Sequence, residues 1–445
     1  MSDGADTRPP GRKSSAKDLF TGSLRGIEDQ LREILLIWPR YVRDFDGVVP
    51  IEQDRPYLQW QEYVDPDEDE LFRDLAQSFA DDTLDDLRPD AGLSHDGTLK
   101  ADFNDPHWGH STGHLFGKVM IDDLSTLHDD LRVGLWGQEG SYDAFCRVNF
   151  LYDGSSDLKV AINRMSLKLK VPFEVPNEYA ATGTARELDL LMSEGLPPGI
   201  PGQPDGQGFF FRDARQLLMV NEFRDGFLDA LKVILKGADL RSFLYWKNVI
   251  FPQTVDMLYR EPQTRTSWDQ KWYYSAGPYA LGNGIMKFGL KPSRQTMADA
   301  IPIDDDAMFA HAARFQEIRA QSEVLEFDLM VQVATPGSLK PSQAEDPPPC
   351  VMAAEYTDLA WDNTAAPFVR VGRVELQPYQ VDASDPDLCW HKVGFNAWNT
   401  LHENRPLGQL FRARKVVHAA HRNARLRHSF GEPSANVPAG CPFAG

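Results

Sequence analysis

Residues 145–171 read FCRVNFLYDGSSDLKVAINRMSLKLKV, and this stretch decides the fold class. Apolar and polar residues alternate in 145–152 and 165–171, a short apolar run covers 158–162, and the intervening DGSS is typical of a turn. A period of two is the pattern of a half-buried strand, and turn residues between such runs indicate neighbouring strands. The stretch therefore predicts consecutive strands of an antiparallel sheet.

The rest of the chain extends this pattern in both directions. Further strands are predicted at 117–121, 284–290, 325–333 and 368–376. Apolar residues at helical spacing predict helices at 19–45, 220–235 and 409–428, and an acidic amphipathic pair at 65–90. Two groups of strands with helices before and after them predict an α+β chain with a closed antiparallel β-barrel as its core.

Changes in composition divide the chain into four parts. Residues 1–18 are polar and predict a disordered N-terminus, and residues 19–102 predict an added N-terminal helical region. Residues 103–430 hold the predicted strands and the basic last helix, so they form the barrel domain. Residues 431–445 are rich in Pro, Gly and Ala and predict a tail.

Charge and cysteine content exclude several classes of function. The chain has 46 Lys and Arg against 66 Asp and Glu, a net charge of −20, so it repels nucleic acid and anionic lipid. Its 4 cysteines lie far apart without a CxxC pair, which excludes a zinc ribbon and favours a reducing compartment. The polar N-terminus has no apolar targeting segment, and no apolar run could span a bilayer. We expect a cytoplasmic protein.

Three histidines lie within the eight residues HWGHSTGH at 107–114. His107, His110 and His114 could be metal ligands, a catalytic acid or base, or members of an ordinary polar loop. Neither an HExxH motif nor an HxH motif with a carboxylate accompanies them, which disfavours zinc. The pattern of residues leaves these three interpretations open.

A second cluster, RARKVVHAAH at 412–421, lies on the predicted last helix. Helical spacing places Arg414 and His418 on one face, with His421 close to it. The pattern favours a basic surface helix, and a helix that directs a histidine toward a buried anionic ligand would use the same pattern. Motifs for a serine hydrolase, a P-loop and a dinucleotide fold are absent.

Several segments, in order along residues 107–428, resemble the catalase fold superfamily, above all its small members and their allene-oxide-synthase-like relatives. Residues 395–408, FNAWNTLHENRPLG, are very similar to the small members' FNPWNxLxEHRPLG. Residues 110–121, HSTGHLFGKVMI, resemble the strand that carries the distal histidine, HAKG…FG. The other similar segments are SYDAFCR at 141–147, NRMSLKL at 163–169, LLMVN at 217–221 and the stretch 274–293.

The resemblance implies a catalase-like barrel that binds haem b, iron protoporphyrin IX. His110 corresponds to the distal acid/base, with His107 and His114 as alternatives, and Asn221 corresponds to its polar companion. Arg147 corresponds to a partner of a haem propionate. Arg414 matches an arginine four residues before the tyrosine that ligates iron, but His418 stands at the tyrosine position, so we expect a neutral imidazole ligand, with His421 as a rival.

Arg147 and Asn221 also have purely structural interpretations. Arg147, within a strand, could pair with an ordinary surface carboxylate. Asn221, near the start of a predicted helix, could be an N-cap, a position where Asn is common.

The activity implied is that of a haem-dependent peroxidase acting on hydrogen peroxide or an organic (fatty acid) hydroperoxide, with a small organic or fatty second substrate. Efficient disproportionation of hydrogen peroxide is disfavoured because the tyrosine is missing. Two alternatives stay open: a barrel that binds haem or lipid without turnover, and a non-haem metal held by His107, His110 and His114. Members of the superfamily are commonly oligomeric, which implies a homo-oligomer.

Overall fold

The structure is a computed structural model. It describes residues 47–51, 60–86, 104–105, 110–150, 163–180, 182–195, 211–222, 267–293, 310–334, 353–357, 359–378 and 394–430. The strands in these ranges are β1 (Val49–Pro50), β2 (Tyr63–Val64), β3 (Asn104–Asp105), β4 (His110–Ile121), β5 (Gly140–Phe150), β6 (Arg164–Pro176), β7 (Thr184–Gly195), β8 (Trp272–Ser275), β9 (Tyr279–Leu281), β10 (Gly284–Pro292), β11 (Leu325–Val333) and β12 (Phe368–Pro378). The α-helices are α1 (Glu68–Asp86), α2 (Ala214–Glu222), α3 (Ala310–Gln321) and α4 (Gln409–Phe430).

Eight of these strands close into a barrel. The order is β11–β12–β4–β5–β6–β7–β8–β10, and β10 pairs with β11 to complete the ring. Every pairing around the ring is antiparallel. Closure removes the exposed strand edges that an open sheet would present. The predicted α+β fold with an antiparallel barrel core is confirmed.

The strand register separates the two faces of the barrel wall. Leu115, Cys146, Leu167 and Leu190 lie side by side on β4 to β7, and all four are buried in the main apolar core. They form the barrel interior. Because side chains alternate along a strand, the intervening residues form the opposite face, which we call the outer face.

The outer face of β4 to β7 is polar and aromatic. Its first row comprises Asn149, Arg164 and Ser193. The next row comprises His114, Arg147, Ser166 and Leu191. The third comprises Phe116, Phe145, Lys168 and Asp189. Cations and aromatic rings thus concentrate on the side of the wall that faces away from the apolar interior.

Helix α4 confirms the helix predicted at 409–428 and packs against α1. Helix α1 covers most of the acidic stretch 65–90 as one helix, where a pair was predicted, and it buries Leu71, Leu75 and Phe79. Its first acid, Glu68, is buried as well and accepts a hydrogen bond from Arg412 of α4. The division between an N-terminal region and a barrel domain stays a prediction. None of the described helices is both long and apolar enough to cross a membrane.

Several predicted elements differ from the structure or fall outside its described part. Helix α2 begins at Ala214, before the predicted start at 220, because Leu217 and Leu218 are already buried on its apolar face. Strand β7 was not among the predicted strands. The strand predicted at 158–162 and the helix predicted at 19–45 lie outside the described residues.

Candidate functional site

The beginning of helix α4 is held by carboxylates. Gly408 has a φ of +89°, and a Cβ there would lie 2.7 Å from the carbonyl oxygen of Ala354, so only glycine fits this turn. The amide of Gly408 donates to Glu62 (2.8 Å), and that of Gln409 donates to Glu355 (3.0 Å). Negative groups at a helix N-terminus satisfy its free N–H groups and its dipole. The start of α4 is therefore fixed in position.

Arg412 completes this network on the side of α4 that faces the N-terminal segment. Its Nε donates to Glu68 (2.7 Å), and its Nη1 donates to Glu62 (3.2 Å). The carboxylates, Glu355 foremost, raise the pKa of Arg412 despite its burial. Burial and the neighbouring Glu355 in turn raise the pKa of Glu62.

Arg414, two residues further along, lies in a different electrostatic environment. Burial lowers its pKa to about 10; Tyr279 counteracts part of this effect, and Arg164 adds to it. Arg164 is the first residue of β6 and lies in the outer-face row with Asn149. Two guanidinium groups from separate elements therefore approach each other.

His418 follows Arg414 by one turn of α4, and the same groups act on it. Burial, Arg414 and Arg164, in that order, lower the pKa of its imidazole to about 3, so the ring is neutral at physiological pH. The carbonyl of Phe395 accepts a hydrogen bond from the ring and offsets part of the shift. The buried Nδ1 has no hydrogen-bond partner in the described part of the chain.

Phe395 links His418 to the outer face of the barrel. Its ring stacks on Phe145 of β5 with centroids 5.9 Å apart and an interplanar angle of 25°. The Arg147 guanidinium carbon lies 4.9 Å from the Phe395 centroid, and the Lys168 Nζ lies 5.2 Å from it. Aromatic rings and several cations thus meet where Phe395, in the segment before α4, packs on the outer face of β5 and β6.

The structure brings three of the predicted site residues into this region. Arg414 and His418 share a face of α4, as predicted, and Arg147 lies on the outer face against Phe395. His421 packs edge-on against Phe79 of α1, with ring centroids 5.1 Å apart. His418 and His421 therefore occupy different surroundings, and of these two His418 is the one next to Phe395.

The distal candidates are only partly described. His110 is the first residue of β4, and its side chain and the whole of His107 lie outside the described residues. His114 lies on the outer face, where its ring stacks on Phe145 at 5.5 Å between centroids. Asn221 lies in the last turn of α2, also without a described side chain, so the N-cap interpretation is wrong.

Two residues of this region, Arg164 and Phe395, were not predicted from the sequence to act on His418. Arg164 belongs to the similar segment 163–169, but its charge could only be connected to Arg414 through the fold. Phe395 begins the segment 395–408, and the resemblance of that segment to the small catalase members was the one sequence feature that could have indicated a role for Phe395. Both act on His418 through packing between elements distant in sequence.

The residues in this region fit a haem. The neutral His418 imidazole has a hydrogen bond to a backbone carbonyl and an Nδ1 to which the described ranges offer no hydrogen-bond partner, an arrangement that suits a metal-ligating histidine. Arg147, Arg164 and Arg414 are suited to carboxylates, and Phe395 is suited to a macrocycle. Across the described ranges, no three His, Cys, Asp or Glu residues are grouped to hold a metal. His107 and the side chain of His110, which the alternative non-haem site requires, lie outside the described residues.

Comparison with solved structures finds likeness to catalases at low identity. A fungal catalase gives a TM-score of 0.47 at 14% identity, covering 75% of this chain and 61% of its own. Catalase A from Saccharomyces cerevisiae gives a TM-score of 0.48 at 13% identity, and the match covers 75% of this chain and 63% of that protein. A bacterial catalase gives a TM-score of 0.45 at 12% identity, and the match covers 73% of this chain and 58% of that protein. The matched region is thus less than two thirds of those proteins' length. No protein-family model and no curated protein sequence matches the chain.

Proposed function

We propose that this protein binds haem b through His418 and is a peroxidase-type oxidoreductase acting on hydrogen peroxide or an organic hydroperoxide. The observation that carries the proposal is the His418 imidazole, kept neutral beside two guanidinium groups and with a buried Nδ1 that has no hydrogen-bond partner among the described residues. A neutral imidazole is the form that ligates iron. The resemblance of 395–408 to the small catalase members supports the same assignment.

The cations of the region support a ligand that carries carboxylates. Burial and the nearby Arg164 lower the pKa of Arg414, so an added negative charge in this region would favour its charged form. The two propionates of haem would supply this negative charge, and guanidinium groups bind carboxylates through paired hydrogen bonds. We assign Arg147, Arg164 and Arg414 to this role.

His110 is the proposed acid/base. Positions 110, 112 and 114 alternate onto one face of β4, and His114 pairs across the strands with Arg147. A histidine there accepts a proton from a peroxide and returns it to the departing oxygen, which contributes about 10²–10⁴-fold to the rate. Asn221 is the proposed polar companion of His110, and His114 and His107 are the other candidates for the base.

When bound, haem supplies the redox-active iron at which a peroxide O–O bond is cleaved. The protein's own residues would keep the His418 imidazole neutral, neutralise the haem propionates and transfer the proton of the peroxide. Imidazole is a weaker donor than the tyrosinate it replaces in the resemblance, and the axial ligand is a main determinant of haem reactivity. We therefore propose oxidation of a second, small organic or fatty substrate over disproportionation of hydrogen peroxide.

The ligand assignment is tested by titrating the haem-free protein with haemin and recording the Soret band. We expect a bound, histidine-ligated spectrum in the wild type and in His421→Ala, whose ring packs on Phe79. In His418→Ala we expect a weakly bound or differently ligated haem. An unchanged spectrum in His418→Ala, or no uptake of haemin by the wild type, contradicts the proposal.

The catalytic assignment is tested by peroxide-dependent oxidation of a reducing dye. His110→Ala is expected to keep haem and lose about 10²–10⁴-fold in turnover, and His114→Ala is the matched variant from the same strand. A larger loss in His114→Ala would make His114 the base. Turnover no faster than that of free haemin in the wild type would instead indicate the non-catalytic haem-binding alternative.

A further inference from the structure

A buried carboxylate on the outer face, Asp189 of β7, binds both the barrel wall and the segment that contacts His418. Its side chain has no exposed surface. Its Oδ1 accepts a hydrogen bond from the Lys168 ammonium of β6 (2.7 Å). Its Oδ2 accepts from the backbone amide of Asn396 (3.0 Å) and the side-chain amide of Asn399 (2.8 Å). Both oxygens are thus fully used.

These bonds fix the turn formed by residues 396–399. The amide of Asn399 donates to the carbonyl of Asn396 (2.9 Å), which closes the turn. The backbone amide of Asp189 donates to the carbonyl of Asn399 (2.9 Å), so Asp189 binds the turn at both ends. Trp398, in its middle, donates through Nε1 to the carbonyl of Phe411 on α4 (2.7 Å).

Phe395 directly precedes this turn. Its carbonyl accepts the hydrogen bond of the His418 ring, and its peptide unit ends at the Asn396 amide that Asp189 binds. The carbonyl carbon of Phe395 and the nitrogen of Asn396 belong to one rigid planar group. A carboxylate oxygen at one side of this peptide and an imidazole at the other therefore orient each other.

We propose that Asp189 is a positioning residue for His418: together with Lys168 it holds the 395–396 peptide that sets the orientation and hydrogen bonding of the imidazole. This inference rests on the proposed function for its consequence, because only a ligating histidine transmits the effect to iron. Hydrogen bonds that orient a ligating histidine raise its basicity, and losing them costs about 10–100-fold in metal affinity or activity.

The matched control is Glu187, which also lies beside Lys168. Its carboxylate is 3.5 Å from the Lys168 Nζ and is nearly buried. Burial raises the pKa of Glu187, and Lys168 counteracts part of that effect. Glu187→Gln removes a carboxylate from the same lysine but leaves every hydrogen bond of the turn in place.

The test compares Asp189→Asn, the milder Asn399→Ala, and Glu187→Gln after loading with haemin. We expect the rate of haem dissociation to rise at least about tenfold in the first two variants. The frequency of the iron–imidazole stretch in the ferrous protein is expected to fall in both. Glu187→Gln is expected to match the wild type. Equal dissociation rates and equal stretching frequencies in all three variants and the wild type would overturn the proposal.

A second measurement uses the haem-free protein, so that this inference can fail separately from the proposed function. The ¹⁵N shifts of the His418 ring, assigned by difference with His418→Gln, report its hydrogen bonding. They are expected to move in Asp189→Asn and Asn399→Ala and to stay fixed in Glu187→Gln. Unmoved shifts overturn the positioning role even if haem binds, and moved shifts support it even if the wild type takes up no haemin.

Discussion

Arg412 and Arg414 lie two residues apart on helix α4 in surroundings of opposite charge. Glu355, Glu68 and Glu62 surround Arg412 and raise its pKa. Burial and Arg164 lower the pKa of Arg414 to about 10, and Tyr279 acts in the other direction. Both guanidinium groups belong to one helix, so the difference arises from what packs against each side of it.

The difference separates structural cations from those suited to a ligand. Around Arg412 the chain itself supplies the anions, and they connect residues 60–68 to the start of α4. Beside Arg414 the chain adds a second cation, Arg164, which raises the cost of burial. A nearby anionic ligand would favour the charged forms of both guanidinium groups, because an opposite charge stabilises a cation. Function is therefore expected on the Arg414 side.

The largest predicted effect is on stability at Arg412. Arg412→Met leaves Glu62, Glu68 and Glu355 without their shared cation, and removing one partner of a buried ion pair costs about 3–5 kcal/mol. We expect this loss in the free energy of unfolding of the haem-free protein, measured by urea denaturation.

Arg373→Met is the control for this variant. Arg373 is over half exposed, and its nearest carboxylate, that of Glu375, is 3.5 Å away. Exposed pairs contribute about 0–1 kcal/mol. Equal losses in Arg412→Met and Arg373→Met would show that the carboxylate network adds no stability, and the contrast with Arg414 would disappear.

The second prediction is that substituting Arg414, unlike Arg412, weakens haemin binding and leaves stability nearly unchanged. Arg414→Met removes a desolvated cation, so the free energy of unfolding of the haem-free protein is expected to change by less than about 1 kcal/mol or to rise. Haemin affinity is expected to fall about tenfold, which corresponds to about 1.4 kcal/mol. A loss of stability as large as that of Arg412→Met, with haemin affinity unchanged, would make Arg414 a structural cation.

Much of the barrel could be predicted because its strands alternate. The runs at 165–171, 325–333 and 368–376 each place apolar residues in the interior, and each lies within a strand of the structure. Strand β7 was missed although Leu188 and Leu190 face the interior. Its charges, Glu187 and Asp189, are typical of solvated loops, and their partner Lys168 on β6 can be recognised only from the register.

The candidate site could be predicted only where its residues share one element. Arg414 and His418 are four residues apart, so helical spacing alone places them together. Arg164 and Phe395 reach His418 through the packing of β6 and of the segment before α4, which no local pattern encodes. Helical spacing also left His421 as a rival of His418. The contact of His421 with Phe79, which distinguishes the two histidines, is visible only in the folded structure.

The smallest predicted effect distinguishes two carboxylates that share Arg412. The folded-state pKa of Glu62 is raised, mainly by burial and then by Glu355. A raised carboxyl pKa means that the stability the group contributes is fully present below the unfolded value of about 4.3 and is lost as pH rises through the folded value. Glu62→Gln mimics the protonated form and avoids this loss.

We therefore expect Glu62→Gln to match or exceed the wild-type free energy of unfolding at pH 7, with the advantage shrinking as pH falls toward about 4. The substituted side-chain amide retains an oxygen for the Gly408 N–H, which now lies 2.8 Å from Oε1 of Glu62. Glu68→Gln is the comparison: Arg412 donates to both Glu68 oxygens, at 2.7 and 3.0 Å, and a Gln side chain keeps only one of these acceptors. That variant is expected to lose about 1–3 kcal/mol. If Glu62→Gln were the more destabilised of the two at pH 7, the ionised Glu62 would be a net stabilising partner of Arg412.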